Sequence, residues 1–393
     1  MKIDRIEIFV TALSARLQRI FSSGSYDTGP AERLLSKPVL VKIYAGGVVG
    51  CAQIRPISPG HFVSDTTQSV VAAIKEIYGP AMIGMSIFDI ESINAMFDNR
   101  LANNPAARAV LDIAVRDTMG KALQTPLYNL MGGCCQPRIP LEWSVSMAED
   151  TATIVAEARR AVDEFGIRVL CIKMADRRGW RQDVHNFEAV RKAVGEDVMI
   201  GVDPNEGWSL ADALLAVREL RKLGLGYIEQ PVARRDLRSL AEVRRAADGV
   251  PVMADEALFT MQDAYALAEA RAVDAFCIKL YKLGGITPAK KIAAIAQAAN
   301  IQLNCGGLAV QSQLEAAAGA HFYASTPGHL MMGAAEFVFG LNTTARDPIC
   351  AESSFVVRDG HVEVPHGPGL GITIDEAALK KHTLLCERVE RNA

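Results

Sequence analysis

Asp203, Glu229 and Asp255 each follow a short apolar run, at 198–202, 226–228 and 251–254, and both intervals between them are 26 residues. A βα unit of a parallel barrel consumes roughly 30 residues, so carboxylates one unit apart at strand C-termini converge on the same mouth. Three hard oxygen donors converging there are the makings of a site for a divalent cation such as Mg²⁺ or Mn²⁺. Lysines bracket the series. Lys173 closes the run 169–172 thirty residues before Asp203, and Lys279 closes the run 275–278 twenty-four residues after Asp255. A carboxylate bound to a dication has an acidified α-hydrogen, and an amine on either side of that carbon is a candidate base. Moving a lysine from its ordinary ~10.4 to ~7–8 takes roughly 4 kcal/mol of differential interaction, which burial and a nearby dication would supply.

These side chains need strands to carry them and a cap to enclose them. Between Leu141 and Phe339 apolar runs near 142–146, 169–173, 198–203, 226–229, 252–255, 275–279, 301–304 and 336–339 alternate with amphipathic segments such as 151–162 and 210–223. This alternation is the sequence form of a βα barrel, and the count of strand candidates is eight. The first 130 or so residues read as a small α+β unit, with strands at the N-terminus and at 39–44 and helices near 67–78 and 106–123. From Cys350 the chain carries a turn-rich segment, 365–371, and a short terminal helix, expected to pack back on the N-terminal unit. The expected fold class is therefore α/β, a modified TIM (β/α)7-8 barrel with an α+β capping domain. Its expected boundaries are 1–135 for the cap, completed by 346–393, and 136–345 for the barrel.

Composition narrows the classes of function. A chain of 393 residues has ample material for a core beyond a single small domain. No apolar stretch approaches the roughly 20 residues of a membrane span, and the N-terminus alternates like a strand rather than a leader, so no membrane partner and a cytoplasmic location are expected. The eight cysteines are scattered without CxxC spacing, which suits reduced thiols. A net charge of −3 with no basic run points away from nucleic acid and toward a small molecule.

The pattern resembles the enolase superfamily, specifically its muconate-lactonizing subgroup among the mandelate racemase/muconate lactonizing enzymes. The residues that carry the resemblance are Ala107-Arg-Ala-Val-Leu-Asp-Ile-Ala-Val-Arg-Asp-Thr-Met-Gly120, Leu130-Met-Gly-Gly133, Ile172-Lys173, Val202-Asp-Pro-Asn205, Ile228-Glu-Gln-Pro231, Ala254-Asp-Glu256, Ile278-Lys-Leu-Tyr-Lys-Leu-Gly-Gly285 and Gly367-Pro-Gly-Leu-Gly-Ile372. The resemblance implies that Asp203, Glu229 and Asp255 hold Mg²⁺ or Mn²⁺, that Lys173 and Lys279 are acid/base groups on opposite faces, and that Glu336 assists. It also implies a homo-oligomer, a dimer or an octamer. The subgroup usually carries Lys-x-Lys on the second strand, and here the first position is Cys171. The implied activity is a muconate cycloisomerase-type lactonization, with an N-acylamino acid or dipeptide racemase-epimerase as the rival. A hydroxy-acid dehydratase and a metal-binding barrel without catalysis remain as further alternatives.

Two cap loops, about 19–30 and 53–62, are expected by the same resemblance to select the substrate. Ile54 and Arg55 lie on the second, and a guanidinium at Arg55 or Arg19 would meet a second substrate carboxylate bidentately. Asn205 and Glu256 are polar neighbours of the acids, expected either to orient the carboxylates or lysines or to serve as caps. Lys282 is expected as a solvated loop charge. His321 and His329 are expected as packed or surface residues, and Cys134-Cys135 as part of a plain loop.

Overall fold

A computed structural model describes residues 1–12, 18–22, 24–27, 37–56, 64–307, 312–343, 346–350 and 354–391. The chain opens with five strands, β1 (Ile3–Thr11), β2 (Gln18–Phe21), β3 (Gly24–Asp27), β4 (Val39–Ala45) and β5 (Val48–Ile54). In β1 the side chains of Ile6, Ile8 and Val10 turn into the core while Asp4, Arg5, Glu7 and Phe9 stay accessible, the alternation of a half-buried antiparallel strand. β1 pairs antiparallel with β4, and β4 with β5. β2 and β3 form a separate hairpin. The 18-residue helix Pro105–Ala122 packs on β4 and β5 with one side and on the helices Leu280–Leu283 and Ile286–Ala298 with another. Buried on more than one face, it is apolar nearly all round, as a helix between two layers must be.

After the short strand β6 (Arg138–Pro140) come eight strands in chain order: β7 (Glu142–Val145), β8 (Val169–Lys173), β9 (Met199–Asp203), β10 (Leu225–Glu229), β11 (Val252–Ala254), β12 (Ala275–Ile278), β13 (Gln302–Cys305) and β14 (Met331–Ala335). They form one parallel sheet in sequential order, and a bridge from Leu141 to Ala335 joins its two ends into a barrel. Side-chain caps start the intervening helices. Asp150, Ser209, Asp236, Thr260 and Ser312 each accept a hydrogen bond from the backbone N–H three residues on. The barrel interior is tightly filled: a Cβ on Gly201 of β9 would overlap the ring of Tyr227 from β10, so only glycine fits there.

The chain then returns to the cap. β15 (His361–Glu363) pairs with β6, and β16 (Thr383–Glu390) adds to the outer edge of β1. Of the elements expected from sequence, two are displaced. The eighth barrel strand lies at Met331–Ala335 rather than 336–339, because Val338–Leu341 turns into a 3-10 helix and leaves Glu336 just beyond the strand end. The tail ends in a strand as well as the helix Glu376–His382. Its charged alternation, with Leu384, Cys386 and Arg388 outward, hides an edge strand whose other face is only partly covered. Among the described residues no helix is long and apolar enough to cross a membrane.

Cap and barrel are joined by carboxylates on the helix Pro105–Ala122. Asp112 accepts hydrogen bonds from the backbone N–H groups of Ile286 (2.8 Å) and Thr287 (3.1 Å), so a side chain of the cap caps a barrel helix. It also accepts from the Thr287 hydroxyl at 2.5 Å and from Asn94 Nδ2 at 3.1 Å. Asp117, one turn on, accepts from the N–H of Cys51 in β5 and of Leu370 in the 365–371 turn, both at 2.7 Å. These contacts give the 107–120 and 367–372 motifs a structural role.

Candidate active site

The parallel register sets Lys173 beside Asp203 at the C-terminal ends of β8 and β9. Glu229 ends β10, Asp255 follows β11, and Lys279 follows β12. All five are buried. Lys173 Nζ donates to Asp203 Oδ2, and Lys279 Nζ donates to Asp255 Oδ2 at 2.5 Å, with Glu229 Oε1 3.7 Å away. The arrangement is nearly symmetric about Glu229, with one acid and one lysine on each side. Room for the second lysine comes from Gly306, where a Cβ would lie 2.7 Å from Lys279 Cε.

Charge and burial oppose each other here. Burial disfavours the Lys173 ammonium, but the Asp203 carboxylate overrides it and holds the lysine well above its ordinary range. Asp255 plays the same part for Lys279. Burial also works against the charge on Asp255, yet Lys279 and Lys282 together hold its carboxyl well below the ordinary range. Glu229 is pushed well above that range, by burial first and by the Asp203 charge second. Its Oε1 is buried and accepts no hydrogen bond, which leaves a carboxylate oxygen aimed into the acid cluster.

This donor set fits a hard divalent cation. Ligand atoms of Asp203 and Glu229 approach within 4.8 Å, as do those of Glu229 and Asp255, so Glu229 bridges the two halves. The thiols of Cys171 and Cys277 reach the same clusters from below. Burial keeps both well above the ordinary thiol range, so they stand as neutral groups beneath the acids. Cys171 Sγ donates weakly to Glu229 Oε2 at 3.7 Å.

Asn205 Nδ2 donates to Asp203 Oδ2 at 2.9 Å and to Glu256 Oε1 at 3.1 Å, tying together the two residues expected beside the acids. Burial and the charge of Asp255 push Glu256 up to about 8. Lys282 departs from the sequence reading. It is fully buried and donates to Asp255 Oδ1 and to the Asp255 carbonyl, both at 2.6 Å, and to the Cys277 carbonyl at 3.1 Å. The short helix Leu280–Leu283 turns its side chain back under the mouth, a bend that strand periodicity does not reveal.

The hairpin β2–β3 covers the other side. Ser22 Oγ donates to the carbonyls of Pro204 (2.8 Å) and Asn205 (3.2 Å), and the Phe21 ring lies 5.6 Å from Lys173 Nζ. Phe21 carries no sequence signal of its own, since its place depends on the hairpin folding over β9. Of the two expected substrate loops, residues 28–30 and 57–62 lie outside the described residues, as does the Arg19 side chain. Ile54 and Gln53 line a small cavity of about 30 Å³ between cap and barrel, with Tyr281, Gly307, Glu315 and Phe337 among the other walls. Arg55 is fully buried and faces Glu315, whose carboxyl burial pushes well above the ordinary range against the pull of Arg55.

A cap of this form over an eight-stranded barrel, with acids on its third to fifth strands and lysines on its second and sixth, defines an enolase-type enzyme. The comparisons agree: residues 33–132 match the mandelate racemase/muconate lactonizing enzyme N-terminal domain, and residues 153–378 match the enolase C-terminal domain-like family. The chain belongs to this family of the enolase superfamily. It is 32% identical over 391 residues to an N-succinyl-L-Arg/Lys racemase of Bacillus cereus, covering 98% of both chains. The crystal structure of the B. cereus N-succinyl Arg/Lys racemase superposes with a TM-score of 0.88 over 99% of this chain and 100% of that one. A chloromuconate cycloisomerase of Cupriavidus necator is 30% identical over 349 residues, 88% of this chain and 91% of the relative. A dipeptide epimerase of Cytophaga hutchinsonii, solved with Mg and the dipeptide D-Ala-L-Val, is 25% identical with a TM-score of 0.87 over 99% of each chain.

Proposed function

We propose that this enzyme is a divalent-metal-dependent racemase or epimerase that inverts the carbon α to a carboxylate, with an N-acylamino acid or a dipeptide as substrate. The observation that carries this reading is the two-sided site, in which Lys173 and Lys279 flank the acid cluster from β8 and β12, each against its own acid. Inversion needs a base on one face and an acid on the other, and two buried lysines facing one carbon supply both. Asp203, Glu229 and Asp255 would hold Mg²⁺ or Mn²⁺. That ion would stabilise the charge developing on the substrate carboxylate and, by engaging Asp203 and Asp255, leave an amine free to accept a proton. Lys173 then takes the α-proton from one face and Lys279 returns one to the other, with the roles exchanged for the opposite enantiomer. Asn205 keeps Asp203 oriented, and Lys282 keeps Asp255 oriented.

A second reading is cycloisomerization of muconate with Lys173 as the acid, and the cycloisomerase relatives favour it. That reaction needs one lysine and a cation for the second carboxylate of the substrate. Arg55, the described residue expected in that role, is enclosed with Glu315 facing it.

The test is proton exchange in D₂O with Mn²⁺, read by NMR on N-succinylamino acids and dipeptides of each configuration. Lys173→Ala and Lys279→Ala should each lose inversion, and each should keep α-exchange of one enantiomer only. Lactone formed from cis,cis-muconate, with no exchange on any N-acylamino acid or dipeptide, would overturn the racemase reading in favour of the second.

A further inference from the structure

Gln230 follows Glu229 directly and is fully buried. Its side chain carries the sheet past the point where the strands stop. β10 and β11 are in register only at Ile228 with Val252 and Glu229 with Met253, and beyond that Gln230 N–H donates to the Met253 carbonyl at 2.9 Å. Asp255 lies past the end of β11, a strand of three residues. Its backbone N–H donates to Gln230 Oε1 at 3.1 Å, and the N–H of Ala257 donates to the same oxygen at 3.0 Å.

The other groups of Gln230 are also engaged. Nε2 donates to the Val232 carbonyl at 2.9 Å, and the Gln230 carbonyl accepts the Glu206 N–H at 2.9 Å. One residue thus ties together the turns that follow β9, β10 and β11. Arg234 closes the same ring, its Nε donating to both Glu206 carboxylate oxygens at 3.0 Å. Gln230 has a φ of +29°, a conformation that side chains rarely adopt, and these contacts on both sides hold it there. An amide suits the place because it accepts and donates without charge. A carboxylate could not donate to Val232 and would add an anion beside Glu229 and Asp255.

We infer that Gln230 is a positioning residue for the metal site: its amide fixes the backbone of Asp255 relative to Glu229. The Asp255 carboxylate then meets Lys279 on Oδ2 and Lys282 on Oδ1. Ligand groups have to be held to about 0.5 Å, and a three-residue strand leaves that precision to the turn beyond it. The role presupposes that Asp203, Glu229 and Asp255 hold the metal.

Calorimetric titration of the full-length protein, stripped of metal, with Mn²⁺ reads this role without turnover. Gln230→Met, close in size but without the amide, should bind Mn²⁺ about 10–100-fold more weakly than the wild type. Gln230→Asn, one methylene too short to reach the Asp255 turn, should fall in the same range and serves should Gln230→Met not fold. Gln230→Glu should return to within about threefold of the wild type, because a carboxyl enclosed among acids keeps its proton and offers the same acceptor and donor. Asp112→Ala, which loosens the joint between cap and barrel instead, should bind Mn²⁺ as the wild type does. It separates lost ligand geometry from lost stability. A loss of under about tenfold in Gln230→Met or Gln230→Asn, or an equal loss in Asp112→Ala, would overturn the positioning role. So would a Gln230→Glu variant that binds as weakly as Gln230→Asn. A wild type that binds no Mn²⁺, or an Asp203→Asn variant that binds it equally well, would overturn the metal site and this role with it. Tight wild-type binding that Asp203→Asn loses and Gln230→Met keeps would overturn the role of Gln230 alone.

Discussion

Replacing Asp112 by alanine should loosen the cap from the barrel by an amount that can be worked from its contacts. The carboxylate serves four buried donors: the N–H groups of Ile286 and Thr287, the Thr287 hydroxyl and Asn94 Nδ2. It also lies 3.5 Å from the Arg116 guanidinium. Loss of a helix cap costs about 0.5–2 kcal/mol, and each buried donor left without a partner costs about 1–3 kcal/mol. Water entering the space left by the carboxylate and rotation of Thr287 recover part of that, for a net cost of about 4 kcal/mol. With an m-value of about 3 kcal/mol/M, the urea midpoint should fall by roughly 1.3 M. Asp112→Asn keeps one acceptor oxygen and should cost about half as much. Urea unfolding followed by far-UV circular dichroism measures both variants. The reasoning is refuted if Asp112→Ala shifts the midpoint by under about 0.3 M, or by less than Asp112→Asn does.

Other outcomes follow from the same geometry. Asp203→Asn should abolish metal-dependent turnover and weaken Mn²⁺ binding by calorimetry, with the circular dichroism spectrum unchanged; full activity would remove Asp203 from the site. Lys282→Met should destabilise the protein by about 3–5 kcal/mol, because Asp255 then loses one of two buried cations and two carbonyls lose their donor. His321 accepts the Tyr128 N–H on Nδ1, so its proton is on Nε2 toward the Leu370 carbonyl, and burial pulls the ring down to about 4. The unfolded chain therefore binds the extra proton first, and stability should fall by about 3 kcal/mol as the pH drops from about 6.5 to about 4, a slope that His321→Gln should flatten. Gly201→Ala should cost at least about 1–3 kcal/mol in thermal or urea unfolding, since the new methyl overlaps the Tyr227 ring.

Much of the architecture was legible because a barrel writes its period into the chain. Apolar runs recurring every 24 to 30 residues, each ended by an acid or a lysine, are a local signal, and parallel strands in sequential order turn it into a ring without further information. The acids and lysines at the mouth could thus be named from spacing, as could the cap helix, whereas the sequence left Asn205 and Glu256 open between caps and partners of the acids. Where two readings competed for the same apolar letters, the local signal failed. The 337–339 run reads as a strand but follows one, and the charged alternation of 383–390 hides an edge strand that exists only because β1 offers an unpaired side.

What the tertiary structure alone decided is which charges meet. Lys282 looked like a loop charge until a four-residue helix folded it beneath Asp255, and Arg55 looked available to substrate until the cap closed over it against Glu315. Phe21 reaches Lys173 across some 150 residues of sequence, and Leu141 bridges to Ala335 only where the last strand of the barrel finds the first. Spacing along one chain specifies which face and which end of a strand a residue occupies, because strand and helix periods are local. Contacts between distant segments depend on how whole layers dock, and in a low-dielectric interior it is those contacts that decide whether a carboxylate or an amine carries its charge.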